Sequence, residues 1–351
     1  MVRRSTSVYR HFCQALASSR VLSLLRSLNR NAVPILMYHG LRDCDSPDER
    51  TSYRRRNVLV DEFRAQMIWL RRHYTIRGLS QVVDALRGPG VPEPRCVALT
   101  FDDGYLSNYT WAWPICRDLE IPFTLFVVTD FIEHGTILWP DRLEMALTRT
   151  TCPRLDVAVE GTLYHFPLRT THDRDVATLA LAARLKASPA RLISIYLEEV
   201  ESKLGVPDAT VSATTRRACT WDMLREMASS ALVEIGSHTA SHSILTKLSR
   251  EESARELSDS KRLIEERLGL PCRHFSYPNG TPADFSPDTD SLVRQAGYCS
   301  ALTTVEGFNH VGNDPFTLRR FGVGGHYVPA EFFATVTGVH GYLARQLGRA
   351  G

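Results

Sequence analysis

The chain has 351 residues, of which 43% are hydrophobic, and a formal net charge of +3. This length and hydrophobic fraction predict a folded globule with a large core, and 42 Lys and Arg against 39 Asp and Glu give no support for nucleic-acid binding. The eight cysteines form no C-x-x-C pair and have no regular spacing, which argues against a zinc finger and against a disulfide scaffold.

Residues 1–32 are predicted to form a helical extension. Apolar residues and arginines alternate over residues 8–30 as in a basic amphipathic helix, which either packs on its own domain or makes peripheral contact with a membrane surface. The apolar stretch at 21–25 is too short for a signal-peptide core, and no stretch approaches the ~18 apolar residues of a spanning helix. We therefore expect a location in the cytoplasm or at the inner membrane face.

From residue 33 onward, strand-like apolar runs alternate with helix-like segments, which is the pattern of a β/α fold. Strands are predicted at 33–38, 97–101, 123–128, 233–236, 274–277, 300–303 and 318–323. Helices are predicted at 60–73, 111–119, after an N-cap at Thr220, and at 250–268, 288–296 and 329–347. About seven strand–helix units predict a closed barrel over residues 33–348.

The alternation is interrupted at about residues 139–217, which we interpret as an insertion in the barrel. This segment contains two strand-like runs, at 155–159 and 162–166, and an alanine-rich helical run at 176–186. Insertions often cover the catalytic face of a barrel, so the segment is either a lid or substrate-contact element, or a purely structural excursion.

Two adjacent carboxylates follow the strand at 97–101. Asp102 and Asp103 stand before Gly104, and two such side chains repel each other unless a cation neutralises one of them. A bound dication would take one carboxylate as a ligand and leave the other free as a base. Taken alone, the same residues are also ordinary turn chemistry.

Two histidines follow a later strand at a spacing of four residues. His238 and His242 can turn their ring nitrogens toward one point in a tight turn or the first turn of a helix. One carboxylate and two imidazoles with open positions form the donor set of a catalytic divalent ion. We expect Zn²⁺, with Co²⁺, Ni²⁺ and Fe²⁺ as the alternatives that these ligands allow.

Three blocks of sequence resemble the NodB-type polysaccharide deacetylases of carbohydrate esterase family 4. They are T-F-D-D-G-Y at 100–105, S-H-T-x-x-H at 237–242, and the proline-containing turn at 275–280, and the resemblance extends over about residues 33–325. The resemblance implies an α/β fold, a distorted (β/α)7 barrel. It further implies a hydrolase of non-peptide C–N bonds that removes N-acetyl groups from N-acetylhexosamine units of a glycan or glycan precursor.

The resemblance also implies roles for particular residues. Asp103, His238 and His242 would bind the metal, Asp102 would be the general base, and the backbone N–H of Asn279 would hold the oxyanion.

The chain departs from the family pattern at two positions. Ser276 stands where many relatives carry an arginine that orients the base; Arg319 or Arg320 could supply that charge, and we assign Arg319 to the site. The family's late L-x-x-H histidine is replaced by Phe321, so the general acid is left open. His39 is predicted to lie in the pocket, as the acid or as a sugar contact.

Two other functions stay open at this point. A barrel and a metal do not define a substrate, so the chain could hydrolyse a non-sugar amide. It could also be a non-catalytic glycan-binding protein that has kept the fold. The expected partner is an N-acetylated carbohydrate, with no nucleic acid, and the sequence predicts no oligomeric state.

Overall fold

A curved sheet of parallel strands forms the centre of the computed structural model, which describes residues 27, 29–43, 56–89, 92–206, 216–325 and 329–338. The strands are β1 (Ile35–Tyr38), β2 (Leu41–Arg42), β3 (Val58–Leu59), β4 (Thr75–Ile76), β5 (Cys96–Phe101), β6 (Phe123–Val127), β7 (Arg154–Val159), β8 (Thr162–Pro167), β9 (Val233–Ser237), β10 (His274–Ser276), β11 (Ser300–Leu302) and β12 (Phe321–Gly322). The order across the main sheet is β11-β10-β9-β6-β5-β1-β12, and β4 pairs with the start of β5.

The helices connect these strands. They are α1 (Val60–His73), α2 (Leu79–Arg87), α3 (Trp113–Asp118), α4 (Thr129–His134), α5 (Trp139–Arg149), α6 (Thr171–Ala187), α7 (Ala190–Lys203), α8 (Trp221–Ala228), α9 (Arg250–Leu268), α10 (Pro287–Gln295) and α11 (Pro329–Val336). A π-helical turn at Asn108–Ala112 precedes α3, and a 3₁₀ turn at Leu245–Lys247 precedes α9. No helix in the described part of the chain combines the length and apolar character needed to cross a membrane.

The last strand brings the two ends of the sheet together. Phe321 pairs with Leu36 of β1, while Leu318 forms a parallel bridge to Leu302 of β11. Seven parallel strands, β1, β5, β6, β9, β10, β11 and β12, therefore surround the core, with only a single bridge at the closing edge. The predicted distorted (β/α)7 barrel is confirmed.

The central strands are buried on both faces, as expected for a parallel sheet covered by helices. All six residues of β5 and all five of β6 are buried. Aromatic rings pack together at this sheet, with the ring of Phe101 in β5 at 5.3–5.7 Å from those of Tyr38 in β1, Phe63 in α1 and Phe123 in β6. This packing fixes the ends of the strands, where the polar residues of interest begin.

Local capping explains the helices that the sequence predicted most closely. The helices predicted at 60–73 and 250–268 have those bounds in the structure. Ser249 and Glu252 form a reciprocal capping box at the start of α9, and Gly269 ends it with a φ of +68°. Thr220 caps α8 by accepting a hydrogen bond from the N–H of Met223, as predicted.

Other predicted elements differ in extent. The helix predicted at 111–119 begins as the π-helical turn, and the last strand is limited to two residues. The N-terminal extension, apart from a few residues, and the end of the last predicted helix beyond residue 338 lie outside the described residues.

The segment from residue 139 to 206 has a hydrophobic core of its own. Strands β7 and β8 form an antiparallel hairpin that packs with α5, α6 and α7. Leu143, Leu155, Leu181 and Leu197 are among its fully buried residues. The alanine-rich helix begins at Thr171, earlier than predicted, because Thr170 and Asp173 form a capping box there.

Candidate active site

The predicted functional residues meet at the carboxyl ends of the parallel strands. Asp102 and Asp103 follow β5, His238 follows β9, and Ser276 ends β10. Active sites of barrels of this type lie at this face, because the loops after the strands converge there.

Four residues of this region adopt a backbone conformation that side chains other than glycine rarely take. Asp103, Thr239, His242 and Asn279 have φ values of +78°, +66°, +62° and +61°. Each such residue costs about 1–3 kcal/mol and persists only where the surrounding structure holds it, which is common at functional sites. The strain therefore coincides with two predicted metal ligands and with the predicted oxyanion donor.

Asp103, His238 and His242 form a buried cluster. Their candidate ligand atoms all lie within 4.8 Å of one another. The Nε2 atoms of His238 and His242 lie 3.6 Å and 3.4 Å from Asp103 Oδ1. The other ring nitrogen of His238, Nδ1, lies 2.7 Å from the carbonyl oxygen of Ser276, which orients Nε2 toward the cluster.

The hydrogen bonding of Asp103 and the protonation states of the two histidines suit the binding of a divalent cation. Asp103 Oδ1 is buried and has no hydrogen-bond partner in the described part of the chain. Burial lowers the pKa of His238 and of His242 to about 4, so both imidazoles are neutral at pH 7, the form that ligates metals. A carboxylate oxygen without a donor, facing two neutral imidazoles, is the donor set of a three-ligand catalytic metal site.

Asp102 is held by a buried arginine. Arg320, with no exposed surface, donates from Nη1 to Asp102 Oδ1 at 2.7 Å and from Nη2 to Oδ2 at 2.8 Å. The same guanidinium donates to Ser276 Oγ at 2.8 Å and to the carbonyl of Thr303 at 2.9 Å. Burial would raise the pKa of Asp102, but the charge and hydrogen bonds of Arg320, with the charge of His238, bring it to about 2. Asp102 is therefore a fixed carboxylate.

The assignment of Arg319 to the site is wrong, and Arg320 is the arginine that contacts Asp102. Arg319 is exposed, and its side chain lies beside Gly307. Side chains alternate between the two faces of an extended segment, so buried Leu318 and Arg320 share a face that Arg319 cannot reach. Leu318 is apolar and faces inward, so the same alternation applied to the sequence would have placed Arg320, and not Arg319, on the inward face.

Asn279 lies in the turn after β10, and three neighbours hold it. Its carbonyl accepts from Thr304 Oγ1 at 2.7 Å, its Oδ1 accepts from Lys186 Nζ at 2.6 Å, and its Nδ2 donates to Asp284 Oδ2 at 2.6 Å. Among the described residues no acceptor contacts its backbone N–H. His39 follows β1 and lines the same cavity as Asn279.

One cavity of about 410 Å³ is lined by the two aspartates, the two histidines, His39 and Asn279. The barrel supplies the floor with His39, the two aspartates and the two histidines. Helices α5 and α6 of the 139–206 segment supply one wall, with Trp139, Pro140, Glu144, Thr178, Leu179, Ala182 and Lys186. This segment therefore contacts whatever occupies the cavity.

A charged network in this wall was not predicted from the sequence. Arg56 Nη2 lies 2.6 Å from Asp141 Oδ1 and 3.2 Å from Glu144 Oε2, and Tyr105 donates its hydroxyl to Asp141 Oδ2 at 2.7 Å. Lys186 was missed as well. Asp141 and Glu144 are three residues apart on α5 and so share a helix face, which was the only signal available from the sequence.

Comparison with known proteins finds similarity to one family of enzymes. The family model described as "Polysaccharide deacetylase" matches residues 90–150 and 198–301. A Bacillus subtilis (strain 168) protein, YxkH, named for the same family, is 32% identical over 116 residues, which are 32% of this chain and 38% of that protein. Poly-beta-1,6-N-acetyl-D-glucosamine N-deacetylase of Escherichia coli (strain K12) is 40% identical over 77 residues, 21% of this chain and 11% of that protein. The matches thus span well under two thirds of either relative.

A solved structure shares the fold over most of the chain. Streptococcus pyogenes deacetylase PplD in complex with acetate matches 87% of this chain and 98% of its own, with a TM-score of 0.59 and 20% sequence identity. At 20% identity the match supports only the fold, and the chemistry has to be inferred from the residues of the site.

Proposed function

This chain belongs to the polysaccharide deacetylase family, and on that premise we propose that it is a metal-dependent hydrolase that removes N-acetyl groups from N-acetylhexosamine units of a glycan or glycan precursor. One observation carries the proposal. A carboxylate fixed by a buried arginine, Asp102, stands directly beside the cluster of Asp103, His238 and His242 at the floor of the cavity.

In this proposal Asp103, His238 and His242 hold the metal, with Zn²⁺ as the first choice by ligand type. The ion would polarise the acetyl carbonyl and lower the pKa of water toward about 7. The neutral imidazoles and the donor-free Asp103 oxygen are prepared for this role before the ion arrives.

Asp102 acts as the general base. It accepts the proton of the water molecule that attacks the acetyl carbon. The two hydrogen bonds from Arg320 fix the direction of its carboxylate and keep it ionised, since they bring its pKa to about 2. Arg320 thus takes over the orienting role that the arginine missing at position 276 would play.

Two further groups complete the reaction in this proposal. The backbone N–H of Asn279, which faces no acceptor among the described residues, donates to the oxyanion that forms on the acetyl carbonyl. In the described part of the cavity, His39 is the imidazole that lies outside the metal cluster, and it protonates the departing amine.

In the rival hypothesis the chain is a glycan-binding protein without catalytic activity, and the lack of an arginine at position 276 would favour it. Arg320 binds both oxygens of Asp102 and so orients an ionised base, which a binding protein does not need. Hydrolysis of a non-sugar amide uses the same groups, and a panel of substrates separates it from the proposed reaction.

The test is acetate release from N-acetylglucosamine oligomers by the metal-reconstituted protein. We expect release that stops with a chelator, returns when Zn²⁺ is added back, and is absent in His238→Ala. His134→Ala, which changes an exposed histidine at the end of α4, is the matched control and should match the wild type. A wild-type protein that binds one metal ion and releases no acetate from any N-acetylated sugar would refute the proposal.

A further inference from the structure

The inserted segment places one cation directly in the cavity. Lys186 lies in the last turn of α6, and its Nζ reaches across to the barrel, 2.6 Å from Asn279 Oδ1. It lines the same cavity as Asp103 and His242. Asn279 is the residue whose backbone N–H is proposed to hold the oxyanion, so Lys186 contacts the residue that binds the acetyl group in that proposal.

Two arginines of this region are already paired. Arg320 is bound to Asp102, and Arg56 is bound to both Asp141 and Glu144. In contrast, Lys186 forms no ion pair with any carboxylate of the described chain, and its one hydrogen-bond acceptor is a neutral amide oxygen.

Asp284, whose charge acts on Lys186, is also occupied. Asp284 Oδ2 accepts from Asn279 Nδ2 at 2.6 Å, from Thr281 N at 2.9 Å, and from the Thr281 hydroxyl. Burial lowers the pKa of Lys186, and the like charge of Arg56 lowers it further. A half-buried ammonium without a counter-ion is unfavourable until an anion reaches it.

We propose that the cavity selects N-acetylated sugars that carry an anionic substituent, a carboxylate or a phosphate ester, and that Lys186 binds that substituent. This inference rests on the proposed deacetylase function and names its substrate class. A negative charge next to Nζ supplies the missing counter-ion. The free amines of an extensively deacetylated polymer would be repelled there.

The obvious competing role for Lys186 is a latch, in which its bond to Asn279 only holds α6 against the barrel. A latch affects all substrates alike, because it acts through the position of Asn279. A binding residue affects only substrates that carry the anion. The ratio of kcat/KM for an anionic and a neutral sugar therefore separates the two roles.

The experiment compares three substrates in the metal-reconstituted protein. N-acetylglucosamine 1-phosphate carries a phosphate, N-acetylmuramic acid carries a carboxylate, and N-acetylglucosamine is neutral. We expect the wild type to prefer at least one anionic sugar, and Lys186→Met to reduce that preference about tenfold to hundredfold, mainly through KM. Lys186→Arg should retain most of it.

Arg184→Gln is the matched control, since it removes a positive charge two residues away on α6, where the guanidinium lies over the ring of Tyr164 outside the cavity. It should leave the preference unchanged. Loss of preference for the phosphate substrate alone, or for the carboxylate substrate alone, identifies which anion the site takes. An unchanged ratio in Lys186→Met overturns the inference.

Binding measurements test the role of Lys186 without requiring turnover. Calorimetric titration of N-acetylglucosamine 1-phosphate, of N-acetylmuramic acid and of N-acetylglucosamine should show tighter binding of an anionic sugar to the wild type, and loss of that difference in Lys186→Met. If no sugar is deacetylated, the proposed function fails while this comparison still decides the role of Lys186. Equal binding of all three sugars by the wild type overturns the inference.

Discussion

At the scale of single residues, the site depends on one carboxylate that two hydrogen bonds hold in place. Asp102 is buried, and the guanidinium of Arg320 binds both of its oxygens. Asp103, its neighbour in the chain, has no such donor at Oδ1 among the described residues and faces two imidazoles. The two adjacent aspartates therefore have different surroundings, and this difference is the basis of the different roles that we propose for them.

Asp102→Asn tests the base. We expect kcat for acetate release to fall about 10²- to 10⁴-fold, because the amide cannot accept the proton of the attacking water. Metal content should stay at the wild-type value, since Asp102 is outside the metal cluster. Asp118→Asn, at an exposed carboxylate on α3, is the control and should have wild-type kcat. Wild-type turnover in Asp102→Asn would contradict the mechanism.

Arg320→Met tests the partner of the base. It leaves Asp102 buried without its counter-ion, so we expect the free energy of unfolding to fall by about 3–5 kcal/mol at pH 7, measured by urea denaturation. The pair lowers the pKa of Asp102, so its contribution is present above the unfolded pKa of about 3.9 and is lost as the pH falls toward 2. The difference between wild type and variant should shrink over that range.

The adjacent arginine supplies the control for this prediction. Arg319→Met makes the same substitution at the preceding arginine, which is exposed. It should alter the free energy of unfolding by no more than about 0.5 kcal/mol. Equal losses in the two variants would show that the buried pair does not stabilise the fold.

At the scale of elements, strand β9 must lie very close to its neighbours to present His238. A Cβ atom on Gly236 would stand 2.5 Å from a ring carbon of Phe126 and 2.9 Å from the carbonyl oxygen of His274. The first obstacle is a buried ring in β6 and the second is backbone of β10, so neither can move aside cheaply. The absence of a side chain at position 236 lets β9 fit between β6 and β10.

Gly236→Ala should therefore weaken both the sheet and the metal cluster. We expect a loss of about 1–3 kcal/mol in the free energy of unfolding and a weaker Zn²⁺ affinity, because β9 carries His238. Gly322→Ala is the control, since its Cβ would meet only the terminal methyl of Met37, at 3.3 Å. Calorimetric Zn²⁺ titration of both variants checks this; unchanged affinity in Gly236→Ala would contradict it.

Elements were predictable from the sequence where local signals agree. The periodic helices at 60–73 and 250–268 were predicted with their observed bounds, and the capping box of α9 fixes its start. Helices α2 and α4 were missed because nine and six residues give too short a periodic signal.

The residues of the site also divide into those that local sequence signals predict and those that such signals do not predict. Asp102, Asp103, His238 and His242 lie in short motifs that follow strands, so the sequence itself groups them. Lys186 and Arg56 reach the cavity from distant segments, and no local pattern brings them together. Their roles depend on how the inserted segment packs against the barrel, which only the three-dimensional fold determines.

At the scale of the whole molecule, a bound metal links segments that are far apart in the chain. Asp103 follows β5, while His238 and His242 follow β9, so one ion would join two parts of the barrel. A ligand that binds only the folded state stabilises it by mass action, by about 2.7 kcal/mol at a hundred times its Kd.

Zn²⁺ should accordingly raise the Tm of the wild type by several degrees and leave that of His238→Ala unchanged. His134→Ala should respond like the wild type. Both imidazoles have a pKa of about 4, so the metal-dependent shift should persist at pH 6 and disappear as the pH falls through 4, when protons displace the ion. Differential scanning fluorimetry with and without Zn²⁺ measures this shift. Its disappearance already at pH 6, where an exposed histidine begins to be protonated, would argue against the buried cluster as the ligand set.

The residue just before the strand that closes the barrel is Arg320. During synthesis on the ribosome, Asp102, Asp103, His238 and His242 all leave the exit tunnel well before residue 320. A nascent or truncated chain that ends before Leu318 contains the whole metal cluster and the base, but not the guanidinium that orients the base. On the proposed mechanism, the metal ligands are therefore complete before the last step of folding, whereas the base is oriented for hydrolysis only when the final strand has docked.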